Sequence, residues 1–304
     1  MSDLILHHYE LSPFSEKIRL AFGLKNLAWK SVDVPVEMPK PDLTPLTGGY
    51  RRAPVLQIGA DIFCDSSLIL REIERRHPQP SLYPNGTEGL AYAVSWWTEK
   101  TTWMPAIVLL TSLIDLPSKH VEDRKIVFGR DLGKEVSLEE QPLNRQRVNA
   151  HMTWLALMLK NGRHFLLGDA PSAADLAAYH SIWFVRKLGG APVEAMLPLK
   201  PLIAWIDRIA ALGHGKPQEM TSHAALDIAK ATSPSPLHVA LNGDPSGLKA
   251  GQKVVVRADD SGRDPISGVL MAADAEEVVI RHDNPRVGEV NLHFPRAGFD
   301  VIAG

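Results

Sequence analysis

The chain has 304 residues and a mass of 33.4 kDa, a length that suggests about two domains with room for a small third. Hydrophobic residues make up 45% and charged residues 22%, ordinary globular usage that excludes a disordered or fibrous chain. Lys+Arg 33 against Asp+Glu 35 leaves a formal charge of -2, so no global basic field gathers nucleic acid or anionic lipid. Met1-Ser2-Asp3-Leu4 lacks the basic start of a signal peptide, and no apolar run approaches the ~20 residues of a membrane span. The single cysteine, Cys64, excludes an intrachain disulfide and any CxxC pair. These features lead us to expect a soluble, cytoplasmic protein with no membrane or nucleic-acid partner.

The first eighty or so residues alternate strand-like and helix-like patterns. Leu4 to Tyr9 is a short apolar run, after which Ser12-Pro13 opens a helix with Phe14, Ile18, Ala21 and Phe22 on one face and Glu16 and Lys17 on another. Ala28 to Val34 reads as a second strand, and the Pro-, Thr- and Gly-rich stretch 35–50 as a loop with at most a short helix. Pro54 to Ile58 and Ile62 to Cys64 flank a tight turn at Gly59-Ala60-Asp61, and Asp65-Ser66 starts another helix with Ile69, Leu70 and Ile73 inward and Arg71, Glu72, Glu74 and Arg75 outward. A strand, crossover helix and strand favour parallel pairing, whereas the short turn makes the last pair antiparallel.

His77-Pro78-Gln79-Pro80 and Pro84-Asn85-Gly86 form a linker, and from about 87 to 231 helical periods dominate without convincing alternation. Leu143–Leu159, Ala173–Leu188 and Pro198–Leu212 are the clearest helices. Ser172 with Asp175 three residues on resembles a capping box with Asp in place of Glu. Thr232-Ser233-Pro234-Ser235-Pro236 reads as a second linker, after which the period becomes two. Strand candidates at 252–258, 268–272, 277–281, 289–294 and 298–302 predict a small antiparallel sheet or barrel. A piece this short exposes strand edges unless it closes on itself or docks on the helical part. Residues 236–304 carry 7 Lys/Arg against 10 Asp/Glu, which speaks against nucleic-acid duty.

These pieces in this order resemble the cytosolic glutathione S-transferase superfamily. Leu11-Ser12-Pro13-Phe14-Ser15 between strand and helix, Ala53-Pro54-Val55-Leu56, and Asp65-Ser66 opening a helix are similar to its thioredoxin-like half. The helical stretch with Gly168-Asp169 and Ser172-x-x-Asp175 is similar to its C-terminal half. The resemblance covers roughly residues 3–230 and does not extend to the β segment. It implies an α/β thioredoxin-like domain over 1–82, an all-α domain over 87–231, and a small all-β domain over 236–304 outside the usual pattern. It further implies glutathione as co-substrate, a small, largely apolar electrophile, and a homodimer.

The residues allow a thiol chemistry. Ser12 stands where the first strand meets the first helix, where unpaired N–H groups and the helix dipole favour an anion. A hydroxyl there would hold the glutathione thiol as thiolate, and lowering a thiol pKa from about 8.5 by ~2 units takes ~2.7 kcal/mol of preferential stabilisation. Read alone, Ser12 with Pro13 is an ordinary helix cap, and one hydroxyl can serve both roles. Ser15 and Tyr9 are the rivals. Serine here, where thiol-transferring relatives carry cysteine, removes mixed-disulfide chemistry at this position.

By the resemblance Ala53–Pro54 is a cis peptide and Val55 offers its backbone to the cysteinyl moiety like a borrowed strand. Read alone, Pro54 is a trans proline opening a strand. Asp65 and Ser66 suit the γ-glutamyl ammonium and carboxylate, although Asp-Ser before an apolar run is also a common cap. Lys40 and Arg52, with Arg51 beside it, are the candidates for the glycyl carboxylate. Trp96, Trp97, Trp103, Met104 and Trp183 could line a pocket for the second substrate, but aromatics at helical spacing usually face a core. His7 and His8 point to opposite faces of a strand, and no HxxxH, HExxH, GxGxxG or P-loop motif exists, so neither a metal nor a nucleotide is expected. Cys64 reads as a buried, inert thiol. Alternative readings are a non-catalytic binding or scaffold protein of this fold, and a glutathione-dependent isomerase, dehalogenase or peroxidase.

Overall fold

The computed structural model describes residues 3–239 and 245–304. In chain order, β1 (Ile5–His8) leads to α1 (Pro13–Leu24), β2 (Ala28–Asp33), the short α2 (Leu43–Thr47), β3 (Val55–Ile58), β4 (Asp61–Cys64) and α3 (Ser66–Arg76). The helical stretch contains α4 (Glu88–Trp97), a π-helical turn at Thr98–Thr102, α5 (Trp103–Thr111), α6 (Ser118–Phe128), α7 (Lys134–Met158), α8 (Ala173–Glu194) and α9 (Ile203–Ala210). Then come β5 (Lys216–Glu219), α10 (Ser222–Ala231) and the strands β6 (Lys253–Ala258), β7 (Ile266–Ala273), β8 (Glu277–Asn284), β9 (Gly288–Pro295) and β10 (Phe299–Ala303). None of the described helices is long and apolar enough to cross a membrane.

Two compact units divide the chain. One takes the described residues within Met1–Ser15, Ala28–Glu72 and Lys216–Gly304; the other takes Glu16–Leu27 and Ile73–Gly215. The first unit is built on a 10-stranded sheet of order β10-β6-β7-β8-β9-β4-β3-β1-β2-β5. β1 and β2 are parallel, with Ile5 opposite Lys30, and the Gly59 turn makes β3 and β4 antiparallel, as the connection lengths predict. The C-terminal strands form an antiparallel sheet that is neither closed nor separate. β9 runs parallel to β4, with Ile62 opposite Leu292, so the edge that β4 would expose is paired.

Apolar burial explains why this join forms. Val254, Val256 and Ala258 alternate inward on β6, and with Ile280, Leu292, Phe294 and Phe299 they share one core with Val34, Leu46, Tyr50 and Ile62. The Tyr50 ring meets Phe294 edge-on at 6.0 Å and lies 6.2 Å from Phe299. A segment of about fifty residues buries little apolar surface by itself, and sharing the core of the N-terminal strands enlarges what it buries. Polar ties reinforce it: Arg286 donates to the Pro41 carbonyl at 2.8 Å and to Asp42 at 2.7 Å, and Arg71 pairs with Glu276.

In the second unit the predicted capping box is present. The Ser172 N–H and hydroxyl both donate to Asp175 Oδ2, at 2.9 and 2.6 Å, while Asp175 Oδ1 accepts from Leu166 N–H and Trp205 Nε1–H, each at 2.8 Å. Regular helix in α8 breaks at Gly190, φ 53°, close to the end that periodicity predicts. α7 begins well before Leu143 and passes through Pro142, because its first turns are anchored on α5 and the residue after it by Thr111–Ser137 (2.7 Å) and Gln141–Ser112 (2.8 Å). Three charged residues that periodicity places away from the apolar stripes, Glu16, Lys17 and Glu72, are buried. Glu16 pairs with Arg19 at 2.7 Å and His214 at 3.0 Å, and Lys17 with Glu99 at 2.5 Å.

Candidate functional site

β1 delivers the chain to a turn in which Ser12 N–H donates to the Tyr9 carbonyl at 3.1 Å. Ser12 is 1% exposed and caps α1, its Oγ accepting from Ser15 N–H at 3.2 Å. Pro13 follows as the first helical residue, where its missing N–H costs nothing. The cap uses a lone pair of Ser12 and leaves its hydroxyl hydrogen to be donated elsewhere. Ser15 is fully buried, and its Oγ has no hydrogen-bond partner among the described residues. Tyr9 is half-buried just past β1, and the Lys40 ammonium stands 5.6 Å from its ring centroid.

Ala53–Pro54 is cis, and Val55 opens β3 opposite His7 of β1 and Cys64 of β4. The turn from β4 into α3 carries Asp65 at φ 78°, the left-handed region that non-glycine residues seldom occupy. Its Oδ1 accepts from the Ser67 N–H at 2.9 Å and hydroxyl at 2.6 Å, and its carbonyl accepts from Ile69 N–H at 3.0 Å, so Asp65 caps α3. Ser66 is 4% exposed in the first turn. Burial pushes the Tyr50 hydroxyl and the Cys64 thiol well up, and the Asp65 charge adds to both, so Cys64 is a neutral buried thiol.

Arg52 lies in the same electrostatic neighbourhood. Burial opposes its charge, but Tyr50, Asp260 and Asp65 outweigh that and hold the guanidinium firmly protonated. Its Nη2 donates to the Asp260 carboxylate and the Ser261 carbonyl, and the guanidinium lies 5.9 Å from the Phe299 ring centroid. Arg51 is 3.9 Å from Asp264. Tyr9 and Lys40 thus come together, as do Arg52 and Asp65 electrostatically. Among the described residues Ser12 hydrogen-bonds neither Asp65, Ser66 nor Arg52.

The histidines of β1 are separate, as strand alternation requires. His7 Nε2 meets Gln57 Oε1 at 2.8 Å, with burial pushing its pKa down to about 4, and His8 Nε2 meets Ser31 Oγ at 3.0 Å. No group of three or more His, Cys, Asp or Glu suited to a metal occurs among the described residues. Of the aromatics, Trp103 and Met104 pack against the Ile107–Val108–Leu132 cluster, and Trp97 lies 5.5 Å from Trp154. Trp183 is half-buried with Arg19 at 5.9 Å. Trp96 faces solvent at 47% exposure, with the Lys100 ammonium 4.5 Å from its ring, so periodicity alone misplaces it in a core.

Sequence reasoning did not single out two further clusters. Lys17, Glu99 and His180 meet at the π-helical turn, with His180 Nε2 3.4 Å from Glu99. Asp61, Glu277 and His293 meet in the sheet. The only signal for either was a charged residue within an otherwise apolar pattern.

The profile of the glutathione S-transferase N-terminal domain matches residues 6–81, and that of the C-terminal domain matches residues 134–208. No curated protein sequence matches the chain. Among solved structures, a GST-like protein from Pseudomonas syringae is 38% identical, with 100% of each chain covered and a TM-score of 0.79. A glutathione transferase from Phanerochaete chrysosporium is 18% identical over 70% of this chain and 98% of its own, with a TM-score of 0.54. A rice transferase solved in complex with glutathione is 19% identical over 68% of this chain and 86% of its own, with a TM-score of 0.50. The last two likenesses concern the fold. The full-length likeness to the Pseudomonas protein extends through β6–β10. With a thioredoxin-like sheet, a capped helical half and both domain profiles in place, the chain belongs to the glutathione S-transferase family.

Proposed function

We propose that the protein is a glutathione transferase in which Ser12 stabilises the thiolate for attack on a small, largely apolar electrophile. The observation that carries this reading is the Ser12 hydroxyl, buried at the N-terminus of α1, with its oxygen satisfied by Ser15 N–H and its hydrogen left to donate. One charge-assisted hydrogen bond together with the helix dipole is of the size needed to lower a thiol pKa by ~2 units, about 2.7 kcal/mol. Ser15, whose buried Oγ lacks a partner, and Tyr9 are the alternative donors.

Asp65 and Ser66 would receive the γ-glutamyl end, and the left-handed backbone at Asp65 supports a functional role for that turn. Val55 would pair with the cysteinyl backbone beside Pro54, and Lys40 or Arg52 would face the glycyl carboxylate. The proposed setting is a cytoplasmic homodimer engaged in detoxification. In the proposed division, residues 1–82 bind glutathione, 87–231 form the helical domain and 236–304 the β domain. Engagement of Arg52 by Asp260 favours a second reading, a non-catalytic protein of this fold with weak thiol binding.

Calorimetric titration of glutathione into wild type and Ser12→Ala, with conjugation of a generic electrophile on the same samples, tests the proposal. The expected result is similar affinity and a loss of turnover of about 100-fold in Ser12→Ala. Full turnover in the variant would transfer the role to Ser15 or Tyr9. Binding without turnover in wild type would establish the second reading, and no binding would leave the fold alone.

A further inference from the structure

Of the basic residues considered for the glycyl carboxylate, Arg52 is already met by a carboxylate of its own chain. Asp260 and Ser261 lie on the loop between β6 and β7, and both accept from the same Nη2. The loop backbone is seated against the arginines: a Cβ at Gly262 would stand 3.3 Å from Arg52 Nε and 3.7 Å from Arg51 Cγ and Cδ. Gly262 has φ 54°, a conformation glycine adopts without cost. Ser261 N–H donates to Asp260 Oδ1 at 2.6 Å, which orients the carboxylate, and Asp264 stands 3.9 Å from Arg51. Phe299 covers the guanidinium on a further side. The loop therefore presents an anion, a carbonyl and a close backbone to one arginine, much as the carboxylate end of a peptide ligand would.

Resting on the thiol-site reading above, we propose that Asp260 is a specificity-determining residue of that site. Its carboxylate pairs with the guanidinium and takes the Nη2 donor that a co-substrate's terminal carboxylate would otherwise meet, so the site favours a γ-glutamyl thiol whose glycyl end is uncharged over glutathione itself. A second carboxylate brought to Arg52 finds a cation already neutralised and a like charge beside it. The γ-glutamyl and cysteinyl ends are unaffected, because their partners, Asp65, Ser66 and Val55, lie outside this loop.

The test is the ratio of dissociation constants for glutathione and its glycine monoethyl ester, which differ in that one charge. Wild type is expected to bind the ester at least as tightly as glutathione. Asp260→Asn shifts the ratio toward glutathione by about tenfold, and Asp260→Glu keeps the wild-type ratio. A merely structural role for Asp260 would weaken both ligands alike and leave the ratio unchanged, which overturns the inference while the thiol-site reading stands. Tenfold preference of wild type for glutathione overturns it equally, and needs no variant to fold. Binding of glutathione by Asp260→Asn with none by wild type supports the inference in its strongest form. Failure of both proteins to bind either thiol overturns the thiol-site reading and this inference with it.

Discussion

His293 on β9 places its Nε2 3.3 Å from Asp61 Oδ1 on β4 and its Nδ1 2.7 Å from Glu277 on β8, so one imidazole spans the line where the appended strands meet the N-terminal sheet. The ring also stacks on Phe63 at 4.3 Å, and Asp61 Oδ2 accepts from Ser235 N–H at 3.0 Å. Burial disfavours the charged imidazole, but the hydrogen bonds to Asp61 and Glu277 outweigh it and raise its pKa above the ordinary 6.5. Burial likewise opposes the Asp61 carboxylate, and His293 and Ser235 hold it below the ordinary 3.8.

The seam should therefore weaken in base. A histidine with a raised folded pKa contributes fully below about 6.5 and loses its contribution as pH rises through the folded value. Asp61 acts at the other end, losing its contribution as pH falls below 3.8 toward its own folded value. Amide protection factors in β9, which divide out the base-catalysed intrinsic rate, are expected to fall above neutrality in wild type. His293→Ala, which strands two buried carboxylates, should cost roughly 3–5 kcal/mol in urea unfolding. Protection factors that stay constant across that range would overturn the assignment.

Glu99 sets an acid limit for the helical unit. Burial disfavours its charge, yet Lys17 and His180 pull its pKa from 4.5 to about 2. A depressed carboxylate stabilises the folded state above its ordinary value, so this contribution should fade as pH falls from 4.5 toward about 2. Glu99→Gln should lower the melting temperature at neutral pH and flatten its dependence across that acid interval. Equal acid slopes in both proteins would show that Glu99 is not the group responsible.

Asp175 ties three parts of the helical unit together, accepting from Ser172, Leu166 and Trp205. Asp175→Ala strands several buried donors at about 1–3 kcal/mol each, so a loss of at least ~3 kcal/mol is expected in denaturant unfolding. Trp205 fluorescence should shift in the folded variant because its indole N–H loses its partner. A loss below ~1 kcal/mol would mean that water or backbone movement replaces the carboxylate.

Ser12 should leave its mark on the pH dependence of turnover. If its hydroxyl holds the thiolate, Ser12→Ala moves the midpoint of the rate profile up by ~1–2 units, toward the ~8.5 of an ordinary thiol. Lower turnover at an unchanged midpoint would point to positioning of the substrate instead.

Much of this was legible along the chain. Period-two alternation located all five C-terminal strands, because Val254, Val256 and Ala258 must face a core to bury their apolar surface. Ser12-Pro13, Asp65-Ser66 and Ser172-x-x-Asp175 marked three helix starts, since unpaired N–H groups demand local acceptors that neighbouring residues supply. β5 was not legible. Lys216-Pro217-Gln218-Glu219 is exposed and polar, and it is a strand only because β2 offers it an edge, with Lys30 reaching Gln218 at 2.6 Å.

The sequence by itself determined the local elements and the residue types at the cap of α1 and at the β4–α3 turn. Those features depend on spacing of a few residues and on short-range hydrogen bonding. Tertiary structure alone decided that β9 pairs with β4, that Asp260 meets Arg52 across some two hundred residues, and that Lys17 and Glu99 neutralise each other in a buried site. Each joins groups far apart in sequence, and a charge in an apolar pattern does not name its partner. For Lys17 and Glu99, only the packing that keeps most water from them makes their pairing necessary.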